Sequence, residues 1–197
     1  MSGQGQREAL PAVRTEGDVS VEGALARRRS VRAFAPRSLT REEIGQLAWA
    51  AQGVTSDAGL RAAPSAGALY PLELYVCTSE GLFHYDPDEH ALTLRRAGDL
   101  RSAVQAAGLN QEALGDAPAI FLIAAVYERT ARKYGSRTER YVHMEAGHAA
   151  QNILLEATAL GLGAVPIGAF EDLRLSEALS LPGDHRPLYL VPVGEPE

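Results

Sequence analysis

The chain has 197 residues, 46% of them hydrophobic, and its 19 basic and 25 acidic residues leave a formal charge of −6. That length suits one compact domain with a substantial core, and acidic residues scattered without a long block offer no general attraction to nucleic acid or anionic lipid. A single cysteine, Cys77, excludes an intramolecular disulfide and a cysteine-based zinc site, so the cytoplasm is the expected compartment, and no apolar stretch reaches the roughly 18 to 20 residues a membrane span needs.

Residues 1–18 are polar and Gly-rich, lack the pattern of a secretory signal and are expected to form a flexible tail, which leaves residues 19–197 as a single domain. Residues 19–29 read as a short helix ending in the basic run Arg27, Arg28, Arg29, ahead of a β-favouring stretch at 30–34. Thr40-Arg41-Glu42-Glu43 has the form of a capping box, and Ile44, Leu47, Ala48 and Ala51 follow at helical spacing. Residues 52–63, rich in Gly, Ser, Thr and Ala, form the expected loop into Pro64-Ser65-Ala66-Gly67-Ala68-Leu69-Tyr70-Pro71 and a strand over 72–78.

Strands over 81–85 and 91–95 flank Asp86-Pro87-Asp88-Glu89-His90, which reads as a hairpin at the periphery. Asp99 is placed to cap a helix running to Ala107, and residues 117–126 form a continuous apolar run, the pattern of a strand buried on both faces. A polar helical stretch surrounds Arg132, Lys133 and Tyr134. The longest helix is expected over 137–160 with Gly161 as its C-cap, burying Val142, Ala146, Ala149, Ala150, Ile153, Leu154 and Ala157. A strand over 163–167, a helix over 171–179 and a last strand over 188–193 complete an α+β fold, with helices packed on a central mixed β-sheet.

Three segments far apart in sequence carry features of a flavin mononucleotide site. In Arg28-Arg29-Ser30-Val31-Arg32, guanidinium groups can hold a phosphate bidentately and the Ser30 hydroxyl can add a hydrogen bond; the run equally fits a basic helix end. In Pro64, Ser65, Ala66 and Gly67, small side chains admit a flat ring and Ser65 offers a polar contact, although a plain turn before a strand has the same composition. Backbone amides near Pro166, Ile167 and Gly168 can bond the polar edge of an isoalloxazine ring, and Gly161-Leu162-Gly163 before them is also a helix cap.

Taken together and in this order, these words resemble the nitroreductase family over nearly the whole chain, 19–195, and within it the branch of SagB-type azoline dehydrogenases. The match also includes Glu145-Ala146-Gly147-His148-Ala149-Ala150-Gln151-Asn152. The resemblance implies FMN held noncovalently in a homodimer with intertwined active sites. It places Arg28, Arg29, Ser30 and Arg32 at the phosphate and ribityl side, Pro64, Ser65, Ala66 and Gly67 reaching over from the partner subunit, and Pro166, Ile167 and Gly168 along the ring. Many relatives grip the phosphate with a further basic residue near the C-terminus, whereas this chain reads Gly194-Glu195-Pro196-Glu197, so either another Arg substitutes or FMN is held more weakly.

The activity implied is NAD(P)H oxidation through FMN, with NADH or NADPH as donor and a small acceptor such as a nitroaromatic or quinone. Two alternatives stand beside it: azoline-to-azole dehydrogenation of a peptide, and a flavin-binding protein without turnover. Azoline dehydrogenases use a Lys-Tyr pair in the region of Lys133 and Tyr134, and Lys133 is the one lysine of the chain, able to act as a base where Arg cannot; a solvent-exposed helix position explains it as well. His143 and His148 flank Glu145, but five residues apart they stand about 140° from each other on a helix and share no metal-binding face, so no metal site is expected.

Overall fold

The computed structural model describes residues 6–197. Among the described residues seven strands form one sheet in the order β1-β4-β3-β2-β5-β7-β6: β1 (Arg7–Ala9), β2 (Leu72–Thr78), β3 (Gly81–Asp86), β4 (Ala91–Ala97), β5 (Ala119–Ala125), β6 (Gly163–Ala164) and β7 (Arg186–Gly194). Every ladder is antiparallel, which corrects the expected mixed sheet. The one parallel contact among the described residues is an isolated bridge between Ser30 and Ala164. Among the described residues hairpins join β2 to β3 and β3 to β4, while β1–β4, β2–β5 and β5–β7 pair antiparallel across long intervening stretches of chain.

β5 lies inside the sheet, paired with β2 on one side and β7 on the other and buried along its whole length, as its unbroken apolar run predicts. β2 alternates its side chains between two cores. Leu72, Leu74 and Val76 join Ile44, Leu47, Val142, Ala146 and Ile153 from α2 (Arg41–Gln52) and α6 (Thr138–Ala159). Tyr75 and Cys77 join Val104, Leu114, Leu175 and Leu179 from α3 (Arg101–Ala107), α4 (Glu112–Asp116) and α7 (Asp172–Leu179) on the opposite face. Helices on both faces of the sheet fit the α+β reading. The remaining helices, α1 (Val21–Arg27) and α5 (Tyr127–Tyr134), carry the candidate site.

Local chemistry explains the helix ends. The Glu43 amide donates to Thr40 Oγ1 at 3.2 Å while the Thr40 amide donates to Glu43 Oε2 at 2.8 Å, so the capping box forms as read. α6 ends at Ala159 with Leu160 as its cap, followed by Gly161 at φ +75°, the left-handed conformation that suits glycine after a helix. Asp99 stands one residue outside the cap of α3, where its carboxylate takes both the Arg101 amide and the Arg101 guanidinium.

Three further expectations are corrected. Residues 7–9 of the supposed tail are the edge strand β1, paired with β4 in register Arg7 to Thr93, and the Arg14 amide donates to Gln46 on α2; residues 1–5 lie outside the described part. The β3–β4 hairpin is not peripheral, because β3 continues the sheet from β2. The strand foreseen over 163–167 is two residues long, after which Ile167 makes its own bridge to Leu190.

Candidate functional site

The three words of the sequence gather into two places. At one sheet edge, the basic run leaves α1 and lies along β6: Ser30 bridges Ala164, and the Val31 amide donates to the Ala164 carbonyl at 3.1 Å. The approach requires glycine, since a Cβ on Gly163 would sit 2.6 Å from Val31 Cβ. Within the run the arginines divide. Arg29 turns back, and its Nη1 donates to the Ala26 and Arg28 carbonyls at the end of α1. Arg28 and Arg32 have no side-chain partner among the described residues, and Ser30 is exposed.

The segment after β6 narrows in the same way. Pro166 has no amide hydrogen, and both the N–H and the C=O of Ile167 are committed to Leu190, at 2.7 and 2.9 Å. Gly168 is exposed and its N–H has no partner among the described residues, so it alone of the three offers an amide to a ligand. The expected cluster of backbone donors is therefore one donor beside an apolar wall.

The second place is built on residues 65–70. Ala66–Ala68 is a single tight helical turn broken at Gly67, φ +65°. Ala68 at φ +52° and Tyr70 at φ +45° are also left-handed, a conformation that costs a non-glycine residue about 1–2 kcal/mol. Four contacts hold this shape. The Ala66 amide donates to Glu145 Oε1 at 2.8 Å, and the Tyr70 amide donates to Ser65 Oγ at 2.9 Å. The Tyr70 carbonyl accepts from Arg129 at 2.9 Å, and the Arg61 guanidinium lies 4.5 Å over the Tyr70 ring.

Above this turn stand Lys133 and Tyr134 at the end of α5. A Cβ on Gly67 would lie 2.8 Å from the Tyr134 hydroxyl and 2.9 Å from Lys133 Nζ, so both polar ends converge on the bare face of Gly67. Tyr134 is steadied by an edge-on contact with Tyr141, ring centroids 4.9 Å apart. The pair thus shares a locus with Pro64, Ser65, Ala66 and Gly67, a juxtaposition that spacing in the sequence does not reveal.

Sequence reasoning named Glu145 as part of a matching word and as the residue between His143 and His148, with no role of its own. It is 4% exposed, and burial raises its carboxyl pKa against the lowering pull of the Ala66 amide, the Ser65 hydroxyl and His148. Its signal was present: it is the one charged residue on the stripe that buries Val142, Ala146 and Ala149. Arg129 and Glu73 were also missed. Glu73 lies between Arg129 and His84, the latter at 2.5 Å, in a polar cleft of about 370 Å³ that Arg61, Arg95 and Asp88 also line. β2 and β3 pair only from Tyr75 and His84 onward, and the cleft opens where they splay.

Cys77 is buried in the sheet, where burial pushes its thiol up to about 12. His143 binds the Tyr127 hydroxyl at 2.7 Å. Near the chain end, Glu195 pairs with Arg37 at 2.6 Å, and Arg37 also holds Glu43 at 2.9 Å. Arg37 is therefore committed to two carboxylates and does not stand in for the basic residue that relatives carry at the C-terminus.

Comparison with known proteins agrees with this architecture. The sequence model of the Nitroreductase family matches residues 25–195. The nitroreductase-like protein MJ1384 of Methanocaldococcus jannaschii is 43% identical over 183 residues, 90% of this chain and 91% of the relative. A nitroreductase-like crystal structure from Ralstonia eutropha superposes with a TM-score of 0.88 at 31% identity, covering 100% of this chain and 92% of that one. The microcin B17-processing protein McbC of Escherichia coli is 27% identical over 129 residues, 60% of this chain and 47% of McbC.

Proposed function

The chain belongs to the nitroreductase family, and on that premise we propose that it is a cytoplasmic, homodimeric FMN-dependent oxidoreductase that takes electrons from NADH or NADPH and delivers them to a small oxidised acceptor. The observation that carries this reading is the Ser30–Ala164 bridge, which sets an unpaired Arg28 and Arg32 beside the Pro166–Gly168 segment in one chain. Those residues fit the cofactor: two guanidinium groups and a hydroxyl for its phosphate, and a free Gly168 amide with a Pro166 and Ile167 wall for its ring. The chemistry bound FMN supplies is two-electron transfer between a nicotinamide and an acceptor such as a nitroaromatic or quinone.

The chain's own part is binding, orientation and exclusion of water. Arg28 and Arg32 neutralise the phosphate, with Arg29 turned back onto the end of α1 that presents them. The exposed Gly168 amide would be the donor this segment offers to the ring, with Pro166 and Ile167 as the apolar wall beside it. Residues 64–67 belong to a different part of the chain from this cradle, consistent with their reaching the cofactor of the partner subunit.

A second reading, azoline-to-azole dehydrogenation of a peptide, is favoured by one specific observation: Lys133 Nζ and the Tyr134 hydroxyl meet over Gly67. There Lys133 is the candidate base, with Tyr134 beside it, the Lys133 Nζ lying 5.6 Å from the centre of the Tyr134 ring. Absorbance of the purified protein, followed during anaerobic addition of NADH and NADPH, tests both. Yellow protein that bleaches with a nicotinamide establishes the reductase and names the donor. Yellow protein that stays oxidised moves the assignment to the dehydrogenase, or to a flavin binder without turnover if azoline peptides also fail. Colourless protein that refuses added FMN overturns the proposal. Lys133→Arg should keep flavin binding; unchanged turnover of azoline and nitro compounds would remove Lys133 from the mechanism.

A further inference from the structure

The turn at residues 65–70 is costly as built. Gly67, Ala68 and Tyr70 all have positive φ, two of them without the freedom of glycine, so the segment keeps this shape only because its surroundings impose it. Three of the imposing contacts come from exposed or half-buried partners: Arg129 on the Tyr70 carbonyl, Arg61 on the Tyr70 ring, and Ser65 on the Tyr70 amide. The fourth is of a different kind. Glu145 rises from the apolar stripe of α6, is 4% exposed, and turns its buried carboxyl to the Ala66 amide and the Ser65 hydroxyl of the turn. Burying a carboxylate costs several kcal/mol unless hydrogen bonds compensate, and an apolar residue at that stripe position would serve the core better. What the carboxylate secures is the position of Ala66.

We infer that Glu145 is a positioning residue: from α6 it holds residues 65–68 in the left-handed turn that presents Gly67, and the space above it, to the flavin and to Lys133 and Tyr134. The inference rests on the reading of this turn as flavin-facing. At 4% exposure and with Oε1 occupied by the Ala66 amide, Glu145 works through the turn rather than on a ligand. It acts by removing the entropy the turn would otherwise lose when a ligand docks, so its loss appears as weaker binding and an altered ring environment.

The test uses the intact protein with FMN. Glu145→Gln keeps a carbonyl oxygen that can accept the Ala66 amide, whereas Glu145→Ala removes the acceptor; Ile153→Val on the same helix serves as a control for a mere loss of core stability. Dissociation constants for FMN, from flavin fluorescence, and the visible circular dichroism of the bound flavin are read for each. The expected result is about tenfold or greater weakening and a changed dichroism band for Glu145→Ala, restoration by Glu145→Gln, and little change for Ile153→Val. Equal values for wild type and Glu145→Ala, or no restoration by Gln, would overturn the inference. Amide exchange of Ala66 in the wild-type protein supplies a reading that depends on no variant: protection is expected, and exchange at the rate of an open loop would sink the idea. Failure of wild type to bind FMN at all would instead strike the flavin reading, so the two failures are separable.

Discussion

Gly163 packs against the Val31 side chain so closely that it has no room for a side chain of its own: a Cβ on Gly163 would lie 2.6 Å from both Cβ and Cγ1 of Val31. The atoms it would meet sit next to the main chain and cannot swing aside. Gly163→Ala is therefore expected to lower stability by about 1–3 kcal/mol through overpacking, and to loosen the Ser30–Ala164 bridge. Combining it with Val31→Gly should cost less than the two single changes added together, a coupling that denaturant unfolding of all four proteins measures.

At Gly67 the obstacle is the tips of two flexible chains. Ala there carries the left-handed penalty of about 1–2 kcal/mol and displaces Lys133 Nζ and the Tyr134 hydroxyl, which can move away. The fold should survive Gly67→Ala with a modest drop in melting temperature, while turnover of an azoline peptide falls more steeply than stability does. Parallel losses in the two measurements would remove the special role of this space.

Stability should fall in acid through Glu73. Burial raises the pKa of its carboxyl, but hydrogen bonding to His84 and the charge of Arg129 outweigh that and hold it at about 2, below the ordinary 4.5. A depressed native pKa contributes stability that is present above the unfolded value and is lost as pH falls from about 4.5 toward 2. Glu73→Gln should cost on the order of 2–3 kcal/mol near neutral pH and flatten the stability profile across that acid window. Urea titrations between pH 7 and 3 decide it; an undiminished acid slope in the variant would assign the loss elsewhere.

Cys77 should be inert. Its thiol is 1% exposed and burial raises its pKa to about 12, so thiolate is scarce at neutral pH. A thiol reagent should label the native protein only at the rate of its unfolding and label the denatured chain at once. Fast native labelling would show that the sheet opens locally at β2.

Elements whose reason is local were legible in the sequence. The capping box at Thr40 and Glu43, the glycine stop of α6 and the apolar run of β5 each express hydrogen bonding or burial within a few residues, and each appears in place. β1 was not legible, because three residues at an edge take their strand form from β4, which lies more than 80 positions along the chain. Ile167 was misjudged for a similar reason, since the partner that consumes its amide, Leu190, belongs to a distant strand.

The same division runs through the candidate site. Residue types and their spacing by themselves determined that guanidinium groups, a small-residue turn and a glycine-rich segment are present, and hence the family, because those are properties of words a few residues long. Only the tertiary structure decided that Arg29 turns back onto the end of α1, that Gly168 keeps the free amide, and that Glu145, Lys133 and Tyr134 all converge on the turn at Gly67. Those facts depend on which groups are already satisfied by neighbours brought together in folding. A hydrogen bond once made within the protein is no longer available to a ligand, and no local pattern records where it was made.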